Sequence, residues 1–269
     1  NELKARIKSL MNRVRQRAPL PPSSDVVNAA FAGLGISDGF MSPDQILEEF
    51  NRLLREVWIE TLHILETFEE RSYATGIPQE LIREFPVDVR AAEETSRKQG
   101  FSAGVTQLFA SWYPALRECF LSVSQSRKQR GGKDFELQIQ RLLDLARVPY
   151  EAQESKNRTD LVLPDVAMHE ENRRISMIVS VKRTLRERWQ QVAEELFNLR
   201  SPNVFLFTAD EEVTERHVAK ISDQYNIQLV VWDQVKAEKF PSRSGVLSYT
   251  DWATKELPML RARWHRRHG

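Results

Sequence analysis

Residues 160–208 read DLVLPDVAMHEENRRISMIVSVKRTLRERWQQVAEELFNLRSPNVFLFT. The stretch holds three short apolar runs: Asp160-Leu161-Val162-Leu163-Pro164, Ile175 to Lys182, and Asn203 to Thr208. Their density of Val, Ile and Phe suits buried strands, and each is too short for an independent helix. The largely polar segment 165–174 can return the chain antiparallel from the first run to the second. Between the second and third, Arg186 to Arg200 places Trp189, Val192, Leu196 and Leu199 at helical spacing, facing a core. Strand, return, strand, helix, strand implies an α/β layer with a mixed sheet flanked by helices.

Downstream the alternation continues. Thr214 to Gln224 reads as a helix, Ile227 to Trp232 as a fourth strand, and Tyr249 to His265 as a helix interrupted near Pro258. Upstream, Tyr150-Glu151-Ala152 reads as a short strand and Phe135 to Ala146 as a helix. Before that lies RKQRGGK, residues 127–133, where two glycines among cations suggest a hinge. The first part of the chain is helical. Leu3, Ile7, Leu10, Met11 and Val14 mark a helix over residues 2–17, ended by Pro19, Pro21 and Pro22. Ser42 caps a long helix with Pro43 in its first turn, expected to run to about Tyr73 and to end near Gly76-Ile77-Pro78. More helix is expected from Ala103 to Ser126, broken near Pro114, with Phe109, Trp112, Tyr113 and Phe120 assigned to its core face. The expected organisation is a helical N-terminal subdomain at 1–128, an α/β core at 129–240 and a helical extension at 241–269.

Composition narrows the class. Hydrophobic residues make up 41% of 269, enough for a substantial core. No apolar run approaches the roughly 18 residues that cross a membrane, and the amphipathic start lacks a secretory apolar region, so a cytoplasmic location is expected. The one cysteine, Cys119, excludes an internal disulfide and reads as a buried helical thiol. The five histidines show no metal-site spacing, so zinc is not expected. Neither a phosphate-binding glycine loop nor a serine-hydrolase elbow is present, which argues against a nucleotide cofactor and against acyl transfer. The net charge is only +1. Cations nevertheless cluster at 127–133, at 182–188 and in the tail at Arg261, Arg263, Arg266 and Arg267.

One constellation carries chemistry. Asp160 opens a strand, and Lys182, 22 residues later, closes the next, where that strand leaves the core. Neighbouring strand ends lie about 5 Å apart, so the carboxylate and the ammonium can meet. A carboxylate that holds a hard divalent cation, beside a lysine that serves an attacking water, is what phosphodiester hydrolysis needs. Glu195 lies 13 residues beyond Lys182, in line with Arg188 and Gln191 on the following helix. Glu136, at the start of the helix after Gly131-Gly132, can approach from the other side.

These residues resemble the PD-(D/E)XK nuclease superfamily: Glu136 in GGKDFELQIQRLLD, Asp160 in RTDLVLP, and Ser180-Val181-Lys182. The position two before the lysine is Ser180 rather than an acid. That departure resembles one subgroup of type II restriction endonucleases, the EcoRII-like enzymes that recognise CCGG and CCNGG, in which a glutamate of the following helix replaces the acid. Glu195 stands at that place. The subgroup's signature after the lysine, three residues and then Arg-Glu-Arg, matches Arg186-Glu187-Arg188. The local match runs over 136–195, under a quarter of the chain.

The resemblance implies a PD-(D/E)XK fold and Mg2+ held by Asp160 and Glu195. Lys182 and Glu136 complete the catalytic set, and Arg186, Glu187 and Arg188 read bases. Arginine can bond guanine O6 and N7 with two donors, and glutamate can accept from cytosine N4, so the triplet holds what G·C pairs require. The implied substrate is double-stranded DNA in a prokaryotic cell, cut before the first C of a palindromic CCGG core to leave 5′ overhangs. A homodimer or higher homo-oligomer matches two identical half-sites. The same chemistry at CCNGG or CCWGG, a repair or junction nuclease, and a non-catalytic DNA-binding protein are the alternatives.

Overall fold

A computed structural model describes residues 2–152, 160–185 and 189–264, with the backbone alone for Trp189. Arg186, Glu187 and Arg188, the triplet expected to read bases, lie outside the described residues. The chain forms two compact units, Asn1–Val26 with Thr61–Gly131, and Val27–Glu60 with Gly132–Gly269. The expected division at 128/129 and 240/241 is therefore redrawn. Residues 27–60 belong with the sheet, and the C-terminal stretch supplies its last strand.

The first unit is helical. It contains α1 (Glu2–Arg17), the C-terminal part of α4 (Phe50–Glu84), α5 (Pro86–Gln99) and most of α6 (Phe101–Leu145). Ile7, Leu10, Met11 and Val14 of α1 pack with Tyr73, Ile77 and Leu81 of α4 and with Trp112, Ala115 and Cys119 of α6. This core explains why α4 does not stop at Gly76-Ile77-Pro78. A Cβ on Gly76 would come within 2.8 Å of Val14, so the glycine is a site of close helix approach and not an end. Pro78 deprives the Ala74 carbonyl of its helical donor, but both residues face solvent and water can replace it. Pro114 and Ala110 sit outward in the same way, and α6 passes through them unbroken. RKQRGGK likewise lies inside α6 and is no loop, although the change of unit falls between its two glycines. Three of the four aromatic residues assigned to this core are instead exposed. Trp112 is buried in line with Ala115 and Cys119, whereas Phe109, Tyr113 and Phe120 lie on a neighbouring line of the helix.

The second unit is built on a six-stranded sheet. Its elements run α2 (Ser23–Gly33, mostly in this unit), α3 (Pro43–Glu48), the start of α4, the end of α6, β1 (Glu151–Ala152), β2 (Leu161–Leu163), α7 (Val166–Glu171), β3 (Met177–Lys182), α8 (Trp189–Asn198), β4 (Val204–Thr208), α9 (Glu215–Val218), β5 (Gln228–Val231), α10 (Asp233–Lys239), β6 (Val246–Ser248), α11 (Tyr249–Asp251) and α12 (Leu257–Trp264). Two π-helical turns, Ala219–Gln224 and Trp252–Glu256, extend α9 and join α11 to α12. The strand order is β1-β2-β3-β4-β5-β6. β1, β2 and β3 pair antiparallel, while β3 to β6 run parallel. The mixed sheet is as expected. β6 was not expected, because three residues before a helical tail carry too little pattern.

Every residue of β4 is buried, as are the first five of β3. Phe207 stacks edge-on against Trp252 at 4.7 Å and Tyr249 at 5.3 Å between ring centres, and Phe50 of α4 meets Trp252 at 5.7 Å. Aromatic pairs of this kind contribute about 0.5–1.5 kcal/mol each beyond simple burial. They fix the carboxyl ends of the parallel strands, where open α/β sheets place their ligands.

Candidate active site

The ladder between β2 and β3 pairs Leu161 with Val179, and the Asp160 N–H extends it by donating to the Val179 carbonyl at 3.1 Å. Asp160 therefore stands beside the end of β3. Three donors converge on its Oδ2: Ser180 Oγ at 3.0 Å, the Val181 N–H at 2.5 Å and Lys182 Nζ at 3.0 Å. Lys182 Nζ also donates to the Val181 carbonyl at 3.0 Å. The hairpin thus brings together the two residues that spacing paired. Their side chains keep 21% and 30% of their surfaces exposed, so the pair is reachable from solvent.

Ser180 does more than fill space. It is fully buried, and its hydroxyl bonds the carboxylate. With the Val181 N–H, it fixes the rotamer of Asp160 independently of the lysine, since the two attachments come from different atoms of β3.

The other carboxylates hold different places. Glu195 sits on α8, half-buried, with Oε2 screened from solvent. Val192 and Leu196 of that helix face the core as expected, joined by Ala193, while Gln191 is exposed. Leu199, assigned to the core, is half-buried just beyond the helix end. Glu136 Oε1 accepts from Lys133 Nζ at 3.0 Å and from Gln140 Nε2 at 2.9 Å, contacts one turn away on α6. Among the described residues, no three His, Cys, Asp or Glu side chains gather as a metal-holding group. What is assembled is the carboxylate–lysine pair.

Asp210, which sequence reasoning missed, secures the exit from β3. Its Oδ2 accepts the Leu185 N–H at 2.8 Å, its Oδ1 accepts the Glu212 N–H at 2.9 Å, and its own N–H donates to Thr208 Oγ1 at 3.1 Å. The Leu185 side chain is buried. The chain is thereby fixed one residue before Arg186. The sequence signal was the Thr208-Ala209-Asp210 step at the end of β4, where Thr208 pairs with Lys182 across the sheet.

Known proteins give this geometry its relatives. Residues 94–251, more than half of the chain, match the family described as EcoRII C terminal. The type II restriction enzyme SsoII of Shigella sonnei is 31% identical over 169 residues, which cover 58% of this chain and 55% of SsoII. The chain thus matches about half the length of that relative. Metal-depleted Ecl18kI, solved in complex with uncleaved, modified DNA, superposes with a TM-score of 0.82 at 25% identity, over 96% of this chain and 85% of that one. The restriction endonuclease PspGI in its substrate DNA complex gives a TM-score of 0.59 at 16% identity, over 93% and 96% of the two chains, a likeness of fold. The matched segment contains Glu136, Asp160, Ser180, Lys182, Glu195 and Asp210. The chain belongs to the EcoRII C-terminal family.

Proposed function

We propose that this protein is a type II restriction endonuclease that hydrolyses double-stranded DNA at a short palindrome with a CCGG core. The observation that carries the reading is the Asp160–Lys182 pair at the open end of β3, with the carboxylate fixed by Ser180 and Val181. Membership of a family whose relatives include SsoII and Ecl18kI supports it.

The donor set suits a hard divalent cation. Asp160 and Glu195 would supply carboxylate oxygens, the ligands a hard cation prefers, and the described residues offer no cysteine–histidine set that would favour zinc. Magnesium, when bound, supplies positive charge against the phosphate oxygens. Asp160 would hold the cation, with Glu195 as the second carboxylate. Lys182 Nζ, tethered to Asp160 and to the Val181 carbonyl, orients the attacking water and offsets the charge that develops on phosphate. Glu136 supports the site from α6. Arg186, Glu187 and Arg188 read guanine and cytosine in the major groove. Two copies related by a two-fold axis match the two half-sites, each cutting one strand to leave 5′ overhangs.

The test is digestion of a long DNA of known sequence with magnesium, followed by sequencing of the ends. The reading requires one shared palindrome at every end. Ends at CCNGG or CCWGG would keep the chemistry and correct the core. Ends without a common sequence would favour a repair or junction nuclease, and intact DNA a non-catalytic DNA-binding protein.

A further inference from the structure

Asp210 is a buried carboxylate with no part in the chemistry above. It lies just past the carboxyl end of β4, whose Thr208 stands opposite Lys182 across the parallel ladder. Both of its oxygens are committed to backbone amides, Oδ2 to that of Leu185 and Oδ1 to that of Glu212. One bond reaches across to the exit of β3, and the other stays within the exit of β4. Closing the β4 exit alone needs a single acceptor, which Ser, Thr or Asn can supply. The second oxygen is what joins the two strands. An asparagine of the same shape offers one acceptor and would turn its NH2 towards the other amide. Burial of a carboxylate costs free energy, and bonds from amides to both oxygens offset it.

The mount of Asp210 is rigid. Tyr249 Oη donates to the Thr208 carbonyl at 3.1 Å, and Trp232 Nε1 donates to the Ala209 carbonyl at 3.1 Å. The Asp210 N–H is itself held on Thr208 Oγ1. Thr208, Trp232 and Tyr249 are buried, and the two aromatic rings lie 5.1 Å apart between centres. Three consecutive residues of the β4 exit are thus tied down, two of them by core aromatics. Across the ladder, Leu185 is buried, and α8 begins four residues later with Val192, Ala193 and Leu196 in the core. Arg186, Glu187 and Arg188 follow the clamped leucine directly in the chain and precede α8.

We propose that Asp210 is a positioning residue that couples base reading to cleavage, by fixing the exit of β3 between Lys182 and the Arg-Glu-Arg triplet. The inference rests on the reading of that triplet as base contacts. Asp210 acts through the Leu185 amide and touches neither bases nor the reacting phosphate. Correct base contacts then pull on a chain whose near end is fixed to the strand that carries Lys182. Their binding energy aligns the phosphate with the Asp160–Lys182 pair instead of moving the exit of β3. At a site with a wrong base pair that alignment is missing, with or without Asp210.

The test is single-turnover cleavage by the whole protein in magnesium, at its own recognised site and at the same site with one base pair exchanged. Asp210→Asn keeps the shape and one acceptor. It should slow cutting of the recognised site about tenfold, the value of a hydrogen bond to a charged group, and leave the exchanged site near its wild-type rate. Asp210→Ala should narrow the ratio further. Thr208→Val removes the acceptor of the Asp210 N–H and should narrow the ratio less. Combined with Asp210→Ala it should add nothing, because both act through one clamp. Should Asp210→Ala fail to fold, Asp210→Asn and Thr208→Val decide alone. A purely structural role, or a role in holding the cation, would slow both sites in proportion. An unchanged ratio in the Asp210 variants, or full additivity with Thr208→Val, therefore overturns the proposal. Arg186→Ala is measured alongside. If it too leaves the ratio unchanged, the base-reading assignment has failed; if it alone changes the ratio, only the clamp falls.

Discussion

Two carboxylates, one in each unit, show how the molecule treats charge. Glu80 of α4 has a fully buried side chain surrounded by arginines: Arg13 at 2.6 Å on Oε2, with Arg17 at 2.6 Å and Arg83 at 3.3 Å on Oε1. Arg13 also reaches Glu84 at 2.9 Å, which in turn holds Arg6 at 3.0 Å. Both oxygens of Glu80 are satisfied by cations, and no water is needed. Asp160 accepts a hydroxyl, a backbone amide and one lysine on a single oxygen, and its side chain remains open to solvent. The first arrangement is closed and ties helices together. The second is preset and open, as a carboxylate must be to meet a ligand.

That contrast can be broken by substitution. The largest effect is expected at the open site. Asp160→Ala, Lys182→Ala and Glu195→Ala should each lower single-turnover cleavage by about 10³ or more, roughly 4 kcal/mol of barrier. Melting temperature and binding to cognate DNA in calcium should stay near wild type. A rate close to wild type in any of the three removes that residue from the site. At the closed site the pattern should invert. Glu80→Ala is expected to cost about 1.5–3 kcal/mol of stability in denaturant titration, with cleavage by the folded protein retained. The arginines left behind are partly exposed and can rehydrate, which keeps the cost below that of a wholly buried pair. Equal stability of Glu80→Ala and wild type would show that the arginine cluster ties nothing together.

Smaller effects sharpen the comparison. Ser180→Ala removes one of the three donors to Asp160 and should slow cleavage about tenfold, the value of one hydrogen bond to a charged group. An unchanged rate would mean that Val181 and Lys182 suffice to fix the carboxylate. The smallest effect is expected from acid. The Arg13 hydrogen bond and the Arg17 charge hold Glu80 below the usual carboxylate range, and the Arg6 hydrogen bond does the same for Glu84. A carboxylate depressed in the folded state adds stability above its unfolded pKa of about 4.3, and that stability is lost as pH falls through the folded value. Melting temperature should therefore drop more steeply below about pH 4.3 in the wild type than in Glu80→Gln. Parallel curves would exclude the cluster as the source of acid sensitivity.

The strands were legible because Val, Ile and Phe repeat over short runs, and Asp160 and Lys182 because a hairpin makes strand ends neighbours whatever the turn between them. Local pattern failed where distant packing decides. Pro78 and Pro114 look like helix ends until the solvent faces beneath them are known. Phe109, Tyr113 and Phe120 look like core until the burial line through Trp112 and Cys119 is placed. The bond from the Ser180 hydroxyl to Asp160 was not legible, because a serine in a strand shows no sign of what lies across the ladder. Asp210 left only the faint trace of a Thr-Ala-Asp step after a strand, since its partner, the Leu185 amide, is 25 residues away. Cys119 was legible: its thiol is buried, and burial pushes it up to about 11.

The clamp that Asp210 places on Leu185 works as a gauge block. Two residues, Arg183 and Thr184, separate Lys182 from the clamped Leu185, and Arg186 is the next residue in the sequence. With the lysine pinned at one end and Leu185 buried and clamped at the other, the span from Lys182 to Leu185 has a set length and little slack. On the proposed reading, the offset between the recognised bases and the broken bond is machined into the end of β3. An inserted residue between Lys182 and Leu185 would then shift or blur the position of the cut before it altered the sequence recognised.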